Sequence, residues 1–443
     1  MTDETKAQNN LPNKGLTLTI LFEGQSLNYD EGFGNLAVLK KLNRGSGRAF
    51  SYLSRQALRY SIVTQGKAEK SWILSQVSKG KSERGKGAVT QLQDSIDKSV
   101  ESDLFGYMRT GVQISGAIQE DTTIKKKFLL DAAKIDEAEE DPEIMKKWID
   151  ALIQGKKKDE VIFRDLKAKL DELVKAQEML PDKKEEYLER LADKLGQKTV
   201  TLVRTTPVKL TPAIALEPFA SNTELLTNKF QADKIQETPN MANIEHQRSI
   251  YRYTICVDLH RIGTEADEVG TRISPEGKLT NEDMDFKKYR DETLRIIKIE
   301  NPLRATRVCA LLDVVSNLYR DIRGRREDLK PLFLIGGIYG SCNPYFENLV
   351  NIEWKNGKPF VVDTSIKQVL CVEDVKLSTK IGVRAGYFGN SDNLIKEGIF
   401  LDEENKNKIV VISPEKVFEN LKTEVKNYYG VKNESPESTT PSA

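Results

Sequence analysis

Ser46-Gly-Arg-Ala-Phe-Ser-Tyr-Leu-Ser-Arg-Gln-Ala-Leu-Arg-Tyr60 is the stretch on which the reading of this 443-residue chain turns. At roughly 100° per residue, a helix here gathers Arg48, Tyr52, Arg55 and Arg59 within a sector of about 60° and turns Ala49, Phe50, Leu53, Ala57 and Tyr60 the other way. One face can pack on a core while the other meets phosphates. Upstream, Leu16 to Phe22 alternates and is rich in β-formers, and the loop that follows holds Tyr29-Asp-Glu-Gly-Phe-Gly. The segment reads strand, long loop, helix. Lys40, Lys41 and Arg44 precede the helix and extend the basic set. Phosphate contacts of this kind add affinity without reading sequence. A solvated helix face with scattered ion pairs fits the same residues equally well.

Composition narrows the classes. The 68 basic and 67 acidic side chains nearly cancel, so attraction to nucleic acid must come from the distribution of charge. Cys256, Cys309, Cys342 and Cys371 are far apart and form no Cys-x-x-Cys pair, which argues against a zinc site or a disulfide framework and fits a reducing cytoplasm. The polar, acid-containing amino terminus is unlike a signal or transit peptide, and no stretch approaches a membrane span. With only His246 and His260, acid/base options at neutral pH are thin.

Farther along, Ser78 to Gly87 is basic, lacks apolar periodicity and reads as a mobile loop. From Thr122 to Lys198, Lys and Glu dominate and apolar residues recur at helical spacing, for example Ile162, Leu166, Leu170 and Leu173. This reads as a charged helical subdomain inserted between β-rich halves. Thr199 to Phe219 returns to β-branched residues interrupted by prolines, which confine it to edges, bends or bulges. Phe230 to Arg248 is polar and reads as a long loop or hairpin projecting from the sheet, before a strongly β-forming run from Ser249 to Leu259. Leu303 to Ile322 has helical periodicity, Pro331 to Ile335 reads as a buried strand, and Gly336-Gly-Ile-Tyr-Gly-Ser reads as a glycine turn. The end from Asn433 has the composition of a disordered tail.

Catalytic signals are sparse. No Gly-Lys-Ser/Thr follows Gly336 and Gly337, so a phosphate loop is not supported, although a glycine turn can let an RNA backbone approach. Asp30 and Glu31 are the only acids beside the arginine stripe, and a turn role suits Asp30 better than metal-dependent phosphate chemistry. No enzyme motif is present, and nothing calls for a cofactor or metal.

The order of motifs carries a resemblance. Leu16-Thr-Leu-Thr-Ile-Leu-Phe, Tyr52-Leu-Ser-Arg-Gln-Ala-Leu-Arg-Tyr, Asp103-Leu-Phe-Gly-Tyr-Met, Arg204-Thr-Thr-Pro-Val-Lys-Leu-Thr-Pro-Ala-Ile-Ala-Leu-Glu-Pro-Phe, Thr227-Asn-Lys, Tyr251-Arg-Tyr-Thr-Ile-Cys-Val-Asp-Leu-His-Arg-Ile-Gly and Gly336-Gly together resemble the DevR branch of type I-B CRISPR Cascade backbone subunits. The resemblance implies an α+β fold: a modified RNA-recognition-motif (ferredoxin-like) palm, a helical fingers insertion and a β-hairpin thumb. Its expected parts are a palm over 15–110, fingers over 111–199, palm strands and thumb over 200–265, the second part of the palm over 266–418, and a C-terminal segment over 419–443. Between Met108 and Val200 the chain departs from the family pattern, where a shorter connection is expected.

The implied function is a non-catalytic, cytoplasmic scaffold that oligomerises along crRNA with other Cascade subunits and presents it to target DNA in antiviral defence. Arg48, Arg55 and Arg59, with Lys40, Lys41, Arg44 and Tyr52, would hold the guide; Arg204, Lys209, Gly336 and Gly337 would add secondary contacts. A thumb wedge must be apolar and bulky enough to unstack a base, which selects Met241 ahead of Phe230. An RNA endonuclease on the same fold, as in type III relatives that cut with a loop aspartate, and a protein-only scaffold remain alternatives. Asp30 is the nearest candidate for such an aspartate.

Overall fold

A computed structural model describes residues 11–32, 34–45, 47–81, 88–115, 175, 197–264, 299–402 and 407–431. The expected fingers over 111–199, apart from 111–115, Lys175 and 197–199, and the tail from Asn433 lie outside the described residues.

A nine-stranded sheet organises the chain. Its strands are β1 (Gly15–Gln25), β2 (Lys41–Asn43), β3 (Ala49–Leu53), β4 (Val208–Leu210), β5 (Ala213–Ala215), β6 (Arg248–Asp258), β7 (Phe333–Tyr339), β8 (Thr379–Val383) and β9 (Val411–Ile412). Their order is β9-β8-β7-β1-β6-β5-β3-β2, with β4 also paired to β6. β1 lies near the middle, antiparallel to both neighbours, with Leu18 opposite Ile255 on β6 and Gly336 on β7.

Side-chain alternation explains the layering. Leu16, Leu18, Ile20 and Phe22 on β1 join Tyr251, Tyr253 and Ile255 on β6 in one buried cluster with three helices. These are α1 (Arg55–Lys70), α2 (Asn301–Ser316) and α3 (Pro414–Tyr428), which contribute Leu58 and Ile62, Val308 and Leu312, and Phe418 and Leu421. Each such side chain stabilises the fold by about 1.5–3 kcal/mol through burial. Leu21, Phe333, Ile335 and Ile381 face the other way, into a second cluster built by residues 339–411.

Several expectations change here. Residues 46–60 are not one helix: Ala49–Leu53 is strand β3, and α1 begins at Arg55. Phe50 and Ser51 point to opposite buried sides, and Ser54 then caps α1, its hydroxyl accepting from Ala57 N at 3.2 Å. Tyr60, expected toward the core, is exposed. The helix from Leu303 stops at Ser316, because Tyr319–Ile322 pairs with Arg325–Asp328 as a hairpin.

Gly336 and Gly337 are not a turn but the middle of β7. A Cβ at Gly336 would sit 1.9 Å from the Thr17 carbonyl oxygen, and one at Gly337 2.0 Å from that of Ser378. Close backbone approach explains both. They are buried, which corrects the expected RNA contact. The basic stretch at 78–87 is bounded by paired strands Val77–Lys81 and Ala88–Leu92, rather than being wholly loop.

The expected part boundaries also shift. Tyr107–Ser115 pairs with Gln197–Arg204, so this two-stranded stalk crosses both expected limits of the fingers. α3 crosses the expected limit at 418, with Leu421 and Val425 buried in the main core.

Candidate nucleic-acid interface

The sheet ends in a hairpin. β2 and β3 pair from Lys41 opposite Ser51 to Asn43 opposite Ala49, and the tip is closed by Arg44 N donating to Arg48 O at 3.1 Å. Arg44 lies over the Phe50 ring, with its guanidinium carbon 5.0 Å from the centroid. β3 and Ser54 run extended to Arg55, the first residue of α1. Arg48 and Arg55 therefore stand about 23 Å apart along the chain at roughly 3.3 Å per residue. Half-buried Tyr52 lies between them, its N–H donating to Lys40 O at 3.0 Å.

Ion pairing divides the expected cations. Arg59 Nη2 lies 3.2 Å from Glu101 and its guanidinium sits over the Phe105 ring; burial lowers its pKa, with Glu101 opposing the shift. Lys41 Nζ is 2.7 Å from Glu245, and its ammonium is 4.3 Å from the Phe219 ring centroid. Lys40 lies 3.6 Å from Asp30, and Lys209 lies 2.7 Å from Asp258. Arg44, Arg48 and Arg55 are exposed and have no carboxylate partner among the described residues. Uncommitted positive charge thus concentrates at the two ends of β3.

Arg204 corrects the sequence reading most sharply. It is buried, with Nη2 2.8 Å from Asp103 Oδ1 and Nη1 donating to Thr264 O at 2.6 Å. Arg307 meets the other Asp103 oxygen at 2.7 Å, and Gly263 N donates to the same carboxylate. Arg304, also buried, donates to the carbonyls of Ile262 and His260. This cluster locks Val100–Phe105, the stalk, the segment after β6 and α2 together. No phosphate reaches Arg204 there without displacing core structure.

Residues 222–246 form a ribbon. Asn222–Thr227 pairs antiparallel with Met241–His246, and a short helix, Lys229–Ile235, joins them. Asn243 and Ile244 pair with Leu36 and Ala37, and Glu245 binds Lys41 and the Leu39 N–H. The ribbon is thus anchored to the loop that carries the basic residues. Met241, paired with Thr227 at the far end, is 56% exposed, and Phe230 is 72% exposed. Leu225, Leu226 and Ile235, absent from the sequence-based set, are exposed on the same ribbon. Consecutive Leu225-Leu226 in a strand is a readable signal, since alternation must put one of them outward.

Asp30 directly follows the Tyr29–Leu39 bridge, its N–H donating across to Val38 O at 2.9 Å and its carboxylate facing Lys40. Among the described residues, no group of three or more His, Cys, Asp or Glu is placed to hold a metal ion, and no helix is long and apolar enough to cross a membrane.

A family model described as CRISPR-associated negative auto-regulator DevR/Csa2 matches residues 16–142 and 182–357, well over half of the chain. Among solved structures, a chain described as "CRISPR RNA-guided surveillance complex, pre-nicking" superposes with a TM-score of 0.42 at 11% identity, covering 93% of this chain and 100% of its own. Another, described as "CRISPR RNA-guided surveillance complex", gives 0.36 at 9% identity, covering 85% and 92%. No curated protein matches the chain. TM-scores this low leave the family match to carry the assignment.

Proposed function

The chain belongs to the CRISPR-associated DevR/Csa2 family, and we propose that it is a non-catalytic backbone subunit of a CRISPR surveillance complex. In this reading copies of the chain array along crRNA, hold its phosphates at the β2–β3 edge, and present its bases for pairing with target DNA. Sequence specificity then comes from base pairing and not from side chains.

The observation that carries the reading is the division of cations. Arg44, Arg48 and Arg55 hold charge that no carboxylate among the described residues neutralises, spread along one sheet edge beside an exposed apolar ribbon. Guanidinium groups in such a row suit phosphates, which accept their planar donors pairwise. Met241 and Phe230 have the exposure that a base-unstacking wedge needs. The strand order, with β1 between β6 and β7 and with α1 and α2 on one face, supports a palm of the RNA-recognition-motif type.

Co-expression with a guide RNA should yield a complex absorbing strongly near 260 nm. Changing Arg44, Arg48 and Arg55 together to Glu should abolish RNA retention while the protein stays folded, and undiminished retention would sink the proposal. Incubation with complementary RNA and magnesium should leave the target intact; cleavage lost in Asp30→Ala would establish the endonuclease reading instead.

A further inference from the structure

Two hairpins in this molecule use the same tight turn with different residues. Asn351–Lys355 and Lys358–Val362 are joined by Asn356-Gly357, with φ of 51° and 75°. Tyr319–Ile322 and Arg325–Asp328 are joined by Arg323-Gly324, with φ of 49° and 78°. Positive φ at both loop positions is the type I′ pattern, for which Asn-Gly is the favoured pair because Asn tolerates the left-handed region. Arg at that position raises the backbone energy for no gain in the turn itself. Such an outlier points toward a use for the side chain.

The side chain is held in place. The Arg323 guanidinium carbon sits 4.0 Å from the centroid of the Tyr29 ring. Every other charged group of the hairpin with a close ionic partner finds it elsewhere: Arg326 with Asp321 at 2.8 Å, Arg325 with Glu327 at 3.0 Å, and Asp328 with Lys330 at 3.8 Å. Arg320, on the same hairpin, donates to the carbonyls of Leu27 and Ala57 and to the Ser61 hydroxyl. Arg323 is exposed, and no carboxylate faces it among the described residues.

Its position is continuous with the basic edge. Tyr29 forms a bridge with Leu39, and its hydroxyl donates to Glu245 O on the ribbon at 3.3 Å. Next to Leu39, Lys40 accepts from Tyr52 N on β3. The bonds of Arg320 fasten the hairpin to the first turns of α1, which begins with Arg55. The hairpin tip therefore lies toward the Arg55 end of the edge and not the Arg48 end.

From this we propose that Arg323, stacked on Tyr29, is a further phosphate-binding site that continues the RNA path beyond Arg55, past the base of the ribbon. The proposal rests on the RNA-binding reading given above and extends it to a hairpin that no basic-helix argument reaches. A guanidinium stacked on a ring keeps its donor edge free for a phosphate while losing little freedom on binding.

Arg323→Asn tests this cleanly, because the substitution suits the turn while removing the guanidinium. The probe is a labelled oligouridylate titrated against the full-length protein over a range of salt. Arg323→Asn should melt at or above the wild-type temperature and reduce the magnitude of the logarithmic salt slope by about 0.7, one single-strand phosphate contact. Arg326→Ala, whose guanidinium is already paired, should leave the slope unchanged. A wild-type slope in Arg323→Asn overturns this site alone. Failure of the wild-type chain to bind the probe overturns the cradle and this site with it.

Discussion

Two sets of arginines in this molecule look alike in sequence and do opposite work. Arg204 and Arg307 are buried around a single carboxylate, Asp103, and Arg304, buried near them, donates to the carbonyls of Ile262 and His260. Arg44, Arg48 and Arg55 stand in solvent at the sheet edge with no carboxylate partner among the described residues. The first set is structure, joining the stalk, the segment after β6 and α2 into one core. The second is free to neutralise something else. What separates them is the partner, and the partner comes from tertiary contact, since Asp103 and Arg204 are 101 positions apart.

The contrast breaks most visibly at Asp103. Removing its carboxylate strands two buried guanidinium groups, so Asp103→Ala should destabilise the protein by about 3–5 kcal/mol, while Arg48→Ala should stay within about 0.5 kcal/mol of wild type. Urea unfolding followed by circular dichroism measures both. Comparable losses for the two would erase the distinction.

Next in size is binding. Arg44, Arg48 and Arg55 changed together to Ala should lower the single-strand RNA salt slope by about 2, from roughly 0.7 per phosphate. Filter-binding titrations across salt concentrations give this number directly. An unchanged slope would mean that the exposed set meets no phosphate.

A smaller effect concerns the junction that orients Arg55. Ser54→Ala removes the hydroxyl that caps α1 and should cost about 1 kcal/mol of stability. No loss on thermal melting would mean that the cap does not fix the start of α1. The smallest effect is expected at Arg59, because its guanidinium is engaged by Glu101 and Phe105. Arg59→Ala should leave the RNA salt slope unaltered, and a drop equal to that of Arg55→Ala would move Arg59 into the exposed set.

The central strands were legible because each has one unambiguous pattern. Leu16 to Phe22 alternates, and the run from Ser249 is too rich in β-formers to be anything else. Residues 46–60 were not, since Ala49, Phe50, Leu53, Ala57 and Tyr60 satisfy a helical stripe as readily as a strand followed by a helix. The deciding cue, Ser54 before Arg55, is an N-cap, and it places the helix start after the strand.

Gly336-Gly337 misled for a related reason. Glycine marks turns, but it also marks places where neighbouring backbone leaves no room for a Cβ, and only the packed sheet tells which. At the site, the basic residues around the β2–β3 edge were identifiable as a group, while their division into engaged and free depended on Glu101 and Glu245, distant in sequence. The Arg323-Gly324 hairpin was missed, because Leu318 and Tyr319 continue the helical spacing of the residues before them, and its stacking on Tyr29 depends on tertiary contact.

The most direct test of the account is a density map of the RNA-bound assembly. It should show the RNA backbone following the β2–β3 edge with phosphates within hydrogen-bonding reach of Arg48 and Arg55, and none at Arg204. An RNA path that leaves Arg44, Arg48 and Arg55 in solvent would contradict the account.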